Sequence, residues 1–164
     1  MNIIFIGFMG SGKSTVGKLL AQRQLREHIE MDDLILHRSG RSSISEIFTQ
    51  DGEIRFRELE MEIAKEVSNK KNNVISSGGG VVMNKINIDY LKIGGPIVYL
   101  KTSFHELERR LEGDTTRPLF QNKKKARELY DMRAVLYETY ADHVVKTDNK
   151  SIVEVVTSVI NIEL

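Results

Sequence analysis

Short apolar runs alternate along the chain with longer segments in which apolar residues recur every three or four positions. The clearest runs are 2–6, 73–77 and 96–101, and two weaker ones are 28–31 and 143–146. Runs of this length next to turn residues predict buried strands, and the 3.6-residue period between them predicts helices. Because the strands alternate with helices, we predict an α/β fold with a parallel sheet covered by helices on both faces.

Three of the predicted helices begin with the spacing of a capping box, in which a serine precedes a glutamate by three residues. These pairs are Ser43 with Glu46, Ser103 with Glu106, and Ser151 with Glu154. In such a box the serine side chain accepts the backbone N–H of the glutamate, and the glutamate side chain reaches back to the serine N–H. We therefore predict that helices begin at these three places.

Length and composition limit the classes of protein. The 164 residues, 40% of them hydrophobic, suit one domain over 1–164. A net charge of +1 argues against a dedicated nucleic-acid binder, and the absence of cysteine rules out disulfides and thiolate chemistry. No apolar run approaches the ~18 residues that span a bilayer, and the first residues lack a secretory leader pattern. We expect a cytoplasmic protein that binds neither membranes nor nucleic acid.

One stretch, 113–125, fits no helix or strand. It is polar and basic, and Pro118 prevents a continuous helix through it. A loop of about this length in a compact domain is typically functional or disordered. Arg117, next to this proline, is therefore either an ordinary loop residue or a side chain able to swing over a phosphate.

The strongest motif is the segment Gly7–Ser14, GFMGSGKS, which matches G-x-x-x-x-G-K-[ST] between a predicted strand and a predicted helix. Its glycines let backbone N–H groups turn around an anion at the positive end of the helix. In this motif Lys13 reaches the β- and γ-phosphates, and the Ser14 hydroxyl ligates Mg²⁺. The residues expected to bind a nucleoside triphosphate here are Gly10, Ser11, Gly12, Lys13, Ser14 and Thr15.

The phosphate loop does not identify the phosphate acceptor. A GTPase needs a guanine-reading Asn-Lys-x-Asp, and the closest string, Asn84-Lys85-Ile86-Asn87, lacks the aspartate. The chain is also short for a large mechanical ATPase. The classes of protein that remain are small kinases and nucleotide-binding modules.

Two arginines lie close to or within apolar helix faces. Arg133 shares a predicted face with Leu129 and Tyr137, where a guanidinium is costly unless it is paired. Its partner is an internal carboxylate or a bound anion. The alternative is that its aliphatic part lies along the helix surface and its guanidinium reaches solvent. Arg57 flanks an apolar stripe that contains Glu60, which lies three residues on and can orient it. The alternative for that pair is a solvated run of charges.

Acidic and glycine residues follow two of the predicted strands. The triplet Gly78-Gly79-Gly80 comes directly after a buried strand, at the edge where parallel sheets bind ligands. Asp32 and Asp33 follow the weaker second strand at the same edge. A carboxylate there can accept a proton from a hydroxyl nucleophile or hold a metal-bound water, and it can also simply cap the next helix.

Taken in order, these residues resemble shikimate kinases over nearly the whole chain. The matching motifs are Gly7–Thr15, Glu30-Met31-Asp32, Gly40-Arg41-Ser42, Ile47-Phe48, Asp51-Gly52-Glu53, Phe56-Arg57 with Glu60, Gly78-Gly79-Gly80, Arg117-Pro118-Leu119, and Arg133 with Leu136-Tyr137. The resemblance implies a three-layer sandwich with five parallel strands, a P-loop NTPase fold with a mobile lid at about 112–124. It also implies a Mg²⁺-dependent reaction, the transfer of the ATP γ-phosphoryl group to the 3-hydroxyl of shikimate. The family resemblance further implies that the protein is a monomer.

The resemblance also implies roles on the acceptor side. Asp32 would bind the ring hydroxyls and orient or deprotonate the nucleophile. Arg57 and Arg133 would hold the shikimate carboxylate, which answers what pairs with Arg133. The backbone of the triplet would complete this site, through Gly78, Gly79 and Gly80.

On the nucleotide side, the resemblance implies that Arg110 lies against the adenine and that Arg117 comes from the lid to the phosphates. Lys13 and Arg117 would then stabilise the charge on the transferred phosphoryl group. The chain departs from the family pattern at three residues. Glu30 replaces an aspartate, Ser77 replaces a threonine, and Ile152 stands near the place where the family usually has a proline beneath adenine.

Two other functions compete with this interpretation. One is a related small-molecule kinase with another hydroxy-acid acceptor such as gluconate, against which the pair Arg57 and Arg133 counts. The other is a nucleotide-binding module without catalysis. The presence of Lys13, Ser14, Asp32 and Arg117 counts against that module, and Glu30 is the one residue that favours it.

Overall fold

The computed structural model describes residues 1–112 and 122–162. Five parallel strands form one sheet in the order β2-β3-β1-β4-β5. The strands are β1 (Ile3–Ile6), β2 (Glu27–Glu30), β3 (Asn73–Ser76), β4 (Ile97–Lys101) and β5 (His143–Lys146). All five predicted strands are therefore present, including the two weaker ones. These two are the edge strands, which bury fewer side chains than β1, β3 and β4.

Helices cover both faces of the sheet. They are α1 (Lys13–Gln24), α2 (Met31–Ser39), α3 (Ile44–Glu46), α4 (Gly52–Ser68), α5 (Lys85–Gly94), α6 (Phe104–Arg110), α7 (Lys123–Tyr140) and α8 (Ile152–Ile160). A π-helical turn over Ile47–Asp51 joins α3 to α4, and a 3₁₀ turn over Val81–Met83 precedes α5.

Successive residues of the central strand point into two separate cores. Ile4 and Ile6 pack with buried residues of α2, α4, α5 and α7, whereas Ile3 and Phe5 pack with those of α1 and α8. This alternation follows from the two-residue period of a strand whose two faces are both covered. The predicted three-layer α/β sandwich is confirmed.

Only one of the three predicted capping boxes is complete. Ser151 accepts the N–H of Glu154, and the Glu154 side chain accepts the Ser151 N–H in return. Ser43 and Ser103 do accept the expected N–H groups, but their glutamates bond elsewhere. The Glu106 carboxylate accepts from two arginines at the end of its own helix, since these charged donors compete successfully for it.

Two predictions fall on parts of the chain that the structure does not describe. The stretch 113–121 contains Arg117 and most of the predicted lid, and it lies outside the described residues. The single domain over 1–164 with its lid therefore remains a prediction. Across 1–112 and 122–162, no helix combines the length and the apolar character that crossing a membrane requires.

Candidate active site

The phosphate loop joins β1 to the first turn of α1, as predicted. Gly10 and Gly12 have φ values of 80° and 93°, a region that side chains with a Cβ rarely adopt, so both positions require glycine. The Lys13 ammonium is buried and donates to the carbonyl oxygens of Gly7, at 2.8 Å, and Phe8, at 3.0 Å. The loop therefore holds a cation beside the N-terminus of α1, which suits an anionic ligand.

Oxygen donors stand beside this loop at the end of β2. The exposed Ser14, in the first turn of α1, hydrogen-bonds to the Glu30 side chain. The Oε2 atom of Glu30 is buried and has no partner among the described residues. Hydroxyl and carboxylate oxygens are the ligands that Mg²⁺ prefers, so this pair fits a magnesium ion held together with nucleotide phosphates. The described residues contain no group of three or more His, Cys, Asp or Glu able to hold a metal alone.

Glu30 should reduce the stability of the ligand-free protein at neutral pH. Burial raises the pKa of its carboxyl to about 6 from an ordinary value of 4.5, although the Ser14 hydrogen bond opposes the shift. A carboxyl with a raised native pKa lowers stability as the pH rises through this range, because the native state disfavours the charged form. We expect Glu30→Gln to raise the free energy of unfolding by about 1 kcal/mol at about pH 8, after allowance for partial exposure.

Denaturant unfolding at several pH values tests this expectation. The gain from Glu30→Gln should shrink as the pH falls through 6 towards 4.5. Glu27→Gln, at the exposed first residue of the same strand, is the control and should change little. An equal gain at every pH, or no gain at about pH 8, would contradict the assigned cause.

Asp32 lies in the first turn of α2, with its side chain against the glycine triplet. A Cβ on Gly78 would lie 2.7 Å from the Asp32 Oδ1 atom, so only glycine leaves room for this carboxyl group. Asp33 is exposed on the same helix, and the position before α2 makes no side-chain cap bond. Of the two aspartates, Asp32 is therefore the one that borders the triplet.

Two arginines from different helices meet at the other end of the triplet. The position of a Cβ on Gly80 would be 2.7 Å from Nη1 of Arg57, on α4, and 3.5 Å from Nη2 of Arg133, on α7. Between these ends, a Cβ on Gly79 would lie 3.5 Å from the backbone nitrogen of Met9 in the phosphate loop. The triplet thus separates a carboxylate from two guanidiniums and lies directly against the phosphate loop.

Glu60 orients Arg57, as the spacing predicted. The Glu60 side chain is 1% exposed, and its Oε2 accepts from Nη1 of Arg57 at 2.9 Å. Burial raises the pKa of Glu60, and the charge and hydrogen bond of Arg57 oppose that shift. The alternative of a solvated charge run is wrong for this pair, because Glu60 lies in the core.

Arg133 is held inside the protein and does not simply extend to solvent. Its Nε atom is buried without a partner among the described residues, and burial lowers the pKa of its guanidinium. The charge of Arg57 lowers that pKa further, whereas Tyr137 and Glu60 raise it. Two neighbouring guanidiniums with one buried carboxylate between them leave a site that favours an added anion.

Tyr137 supports this site, although sequence reasoning gave it no role beyond its place in a motif. Its hydroxyl donates to the carbonyl oxygen of Gly79 at 2.5 Å and hydrogen-bonds to Arg133. Its ring is fully buried and stacks on Tyr99, with centroids 5.1 Å apart. An apolar face of α7 that carries both an arginine and a tyrosine one turn later was the available signal.

Arg110 joins the phosphate loop to the segment after β5. Its guanidinium donates to the carbonyl oxygens of Thr147, at 3.0 Å, and Ser11, at 3.5 Å, while Glu106 accepts from its Nε at 2.8 Å. Ile152, the first residue of α8, lies a few residues further along and is 45% exposed. These contacts fix Arg110 beside the phosphate loop, and its contact with adenine remains a prediction.

The structure therefore gathers nearly all of the predicted site residues along one edge of the sheet. Arg117 is the exception, because it lies outside the described residues. Sequence reasoning also missed Asn87, whose side chain contacts Glu60 inside the core. The signal for it was a polar residue next to Ile88 on the apolar face of α5.

Comparison with known proteins agrees with this arrangement. The family model described as "Shikimate kinase" matches residues 9–163. A shikimate kinase of Thermodesulfovibrio yellowstonii is 40% identical over 162 residues, which cover 97% of this chain and 92% of that protein.

Solved structures give the same result. A shikimate kinase from Acinetobacter baumannii in complex with shikimate has a TM-score of 0.90 at 33% identity, covering 97% of this chain and 90% of that one. A shikimate kinase from Aquifex aeolicus has a TM-score of 0.82 at 37% identity, and the match covers 98% of this chain and 94% of that one. The chain belongs to the shikimate kinase family.

Proposed function

We propose that this chain transfers the γ-phosphoryl group of ATP to the 3-hydroxyl of shikimate. The observation that carries the proposal is the convergence of Arg57, Arg133 and Asp32 around a glycine triplet that touches the phosphate loop. Two guanidiniums suit a carboxylate, and a carboxylate beside them suits a hydroxyl group. A hydroxylated carboxylic acid satisfies both requirements at once.

The acceptor carboxylate is bound by the two arginines. Guanidinium groups bind carboxylates through paired N–H donors, which fixes the orientation of the bound acid as well as its charge. The buried Nε of Arg133 and the lowered pKa of its guanidinium support this role, because a bound anion offsets the cost of burying the charge. Backbone atoms of Gly78, Gly79 and Gly80 line the space between the arginines and Asp32.

Asp32 acts on the hydroxyl group that is phosphorylated. Its carboxylate binds the ring hydroxyls and accepts the proton of the 3-hydroxyl as that oxygen bonds to the γ-phosphorus. The bond from the γ-phosphorus to the bridging oxygen breaks, and ADP leaves. The contact of Gly79 with the phosphate loop supports this geometry, because it brings the acceptor site next to the phosphates.

The nucleotide is held by the phosphate loop and its neighbours. Backbone N–H groups from Gly10 to Thr15 bind the phosphates, Lys13 stabilises charge on the transferred group, and Arg110 lies against adenine. Arg117, in the proposed lid, binds the same phosphates.

Mg²⁺ is the divalent cation in this proposal, with Ser14 as its protein ligand and Glu30 beside it. When bound, the ion neutralises charge on the β- and γ-phosphates. We also propose that the protein is cytoplasmic and acts on shikimate and ATP without nucleic acid or membrane, as its charge and hydropathy predict, and that it is a monomer, as the family resemblance implies.

Release of ADP by the purified protein tests the acceptor. With Mg²⁺ and ATP present, ADP release should depend on shikimate and should stay near background with gluconate. Gluconate-dependent release would favour the related sugar-acid kinase. ATP binding without release for either acceptor would favour the module without catalysis.

A further inference from the structure

A buried amide on α5 is bonded to the carboxylate that supports the acceptor site. Asn87 is 0% exposed. Its Nδ2 donates to Oε2 of Glu60 at 3.1 Å and to the carbonyl oxygen of Val81 at 3.3 Å. Its Oδ1 is buried and has no partner among the described residues. Burying an amide oxygen without a hydrogen bond costs free energy, and an apolar residue of similar shape would avoid this cost. Stability alone therefore does not account for an amide at this position.

The Glu60 oxygen that Asn87 holds is the same oxygen that orients Arg57. Oε2 accepts from Nη1 of Arg57 at 2.9 Å and from Asn87 at 3.1 Å. The second acceptor of that Nη1 is the carbonyl oxygen of Gly80, at 3.4 Å. Asn87 also holds the next carbonyl along the chain, that of Val81. The Asn87 amide thus holds both the Glu60 carboxylate and the turn after the glycine triplet, to which Arg57 donates.

Arg57 also donates to a second carboxylate, which lies outside the core. Glu53, whose side chain is 66% exposed, lies 3.3 Å from Nη2 of Arg57. If the Glu60 carboxylate turned or became neutral, the guanidinium would be drawn towards Glu53 and away from the triplet. The direction in which Arg57 points therefore depends on how firmly Glu60 is held.

We infer that Asn87 is a positioning residue for acceptor binding, which fixes the Glu60 carboxylate and, through it, turns Arg57 towards the acceptor. The inference rests on the proposed function, because it requires Arg57 to bind the acceptor carboxylate. Asn87 itself touches neither substrate. Its loss should therefore weaken shikimate binding while leaving the nucleotide site intact.

Asn87→Asp is the sharpest test, because it changes the amide to a carboxyl group of almost the same shape. Near pH 8 the introduced carboxylate faces Glu60 with no proton to donate. The other charged groups acting on Glu60 are Arg57 on its own helix, Asp32 on α2 and Arg133 on α7. We expect the KM for shikimate to rise by about tenfold or more, with the KM for ATP within about twofold of wild type.

Lower pH should rescue this variant. Two carboxyl groups in contact share a proton, and the protonated group then donates to Glu60 as the amide does. The ratio of the shikimate KM of Asn87→Asp to that of wild type should therefore fall several-fold between about pH 8 and about pH 6. Asn87→Leu, which keeps the volume but has no donor, should show the raised KM without this rescue.

Asn69→Asp is the matched control. It makes the same amide-to-carboxyl change at the exposed end of α4, the helix that carries Arg57 and Glu60. Its KM for shikimate should match wild type at every pH. Thermal unfolding of each variant shows whether it is folded under the assay conditions.

The outcomes separate this inference from the proposed function. If wild type phosphorylates shikimate and a folded Asn87→Asp variant keeps the wild-type KM and pH profile, the inference is wrong and the function stands. Equal rises in the KM values for shikimate and ATP would also overturn it. If Asn87→Asp does not fold, the shikimate KM of Asn87→Leu is the test, and a wild-type value in that variant overturns the inference. If wild type does not phosphorylate shikimate, the proposed function fails first.

Discussion

Replacing Arg133 with alanine should raise the KM for shikimate by a factor on the order of 100, with the KM for ATP within about twofold of wild type. The guanidinium borders Gly80 together with Arg57, whereas the phosphate loop has its own cation in Lys13. Removing Arg133 thus takes away half of the proposed carboxylate site and leaves the phosphate loop unchanged. Steady-state kinetics with each substrate varied in turn measure both effects.

The structure also predicts that Arg133→Ala folds normally. Its guanidinium is partly buried with an unpartnered Nε, so removing it takes away a desolvated charge that the ligand-free protein does not fully pair. Arg127→Ala is the matched control, since Arg127 lies on the same helix but is 58% exposed and pairs with Asp131. Equal losses for shikimate and ATP in Arg133→Ala would contradict its assignment to the acceptor.

Asp32→Asn should lower kcat by about 10²- to 10⁴-fold while ATP still binds, the range expected when a general base is lost. The change keeps the shape of the side chain against Gly78, so the triplet is not displaced. It removes the carboxylate that we propose accepts the proton of the shikimate hydroxyl. Turnover at saturating substrate measures the first effect, and calorimetric titration with ATP measures the second.

The neighbouring aspartate supplies the control for this experiment. Asp33→Asn makes the same change one residue away, on the exposed side of α2, and should keep wild-type turnover. Wild-type turnover in Asp32→Asn would mean that the proton leaves by another route. Loss of ATP binding in Asp32→Asn would mean that the carboxylate supports the nucleotide site instead.

Most of the fold could be predicted from local pattern. The run 2–6 is apolar at every position but its first, and the structure buries all four residues of β1 between two helical layers. The weaker run 28–31 also overlaps a strand, Glu27–Glu30, although the strand begins and ends one residue earlier. The reciprocal caps at Ser43 and Ser103 are absent, because Glu46 accepts from Ser42 and Glu106 accepts from two arginines, and spacing alone does not reveal these competing donors.

The site was predictable only where its contacts are local. Arg57 and Glu60 are three residues apart on one helix, so helical geometry alone brings them together. The meeting of Arg57 with Arg133 joins residues 76 positions apart by number and depends on how α4 and α7 pack around the triplet. Asn87 escaped notice for the same reason, because its partner Glu60 lies on another helix.

Phosphorus and proton NMR of the product formed from ATP and shikimate would show directly which hydroxyl group is phosphorylated. We expect one phosphate monoester, on the oxygen at carbon 3 of shikimate, formed in equal amount to ADP. Inorganic phosphate without an ester, or an ester on a different ring oxygen, would contradict the acceptor geometry assigned to Asp32, Arg57 and Arg133.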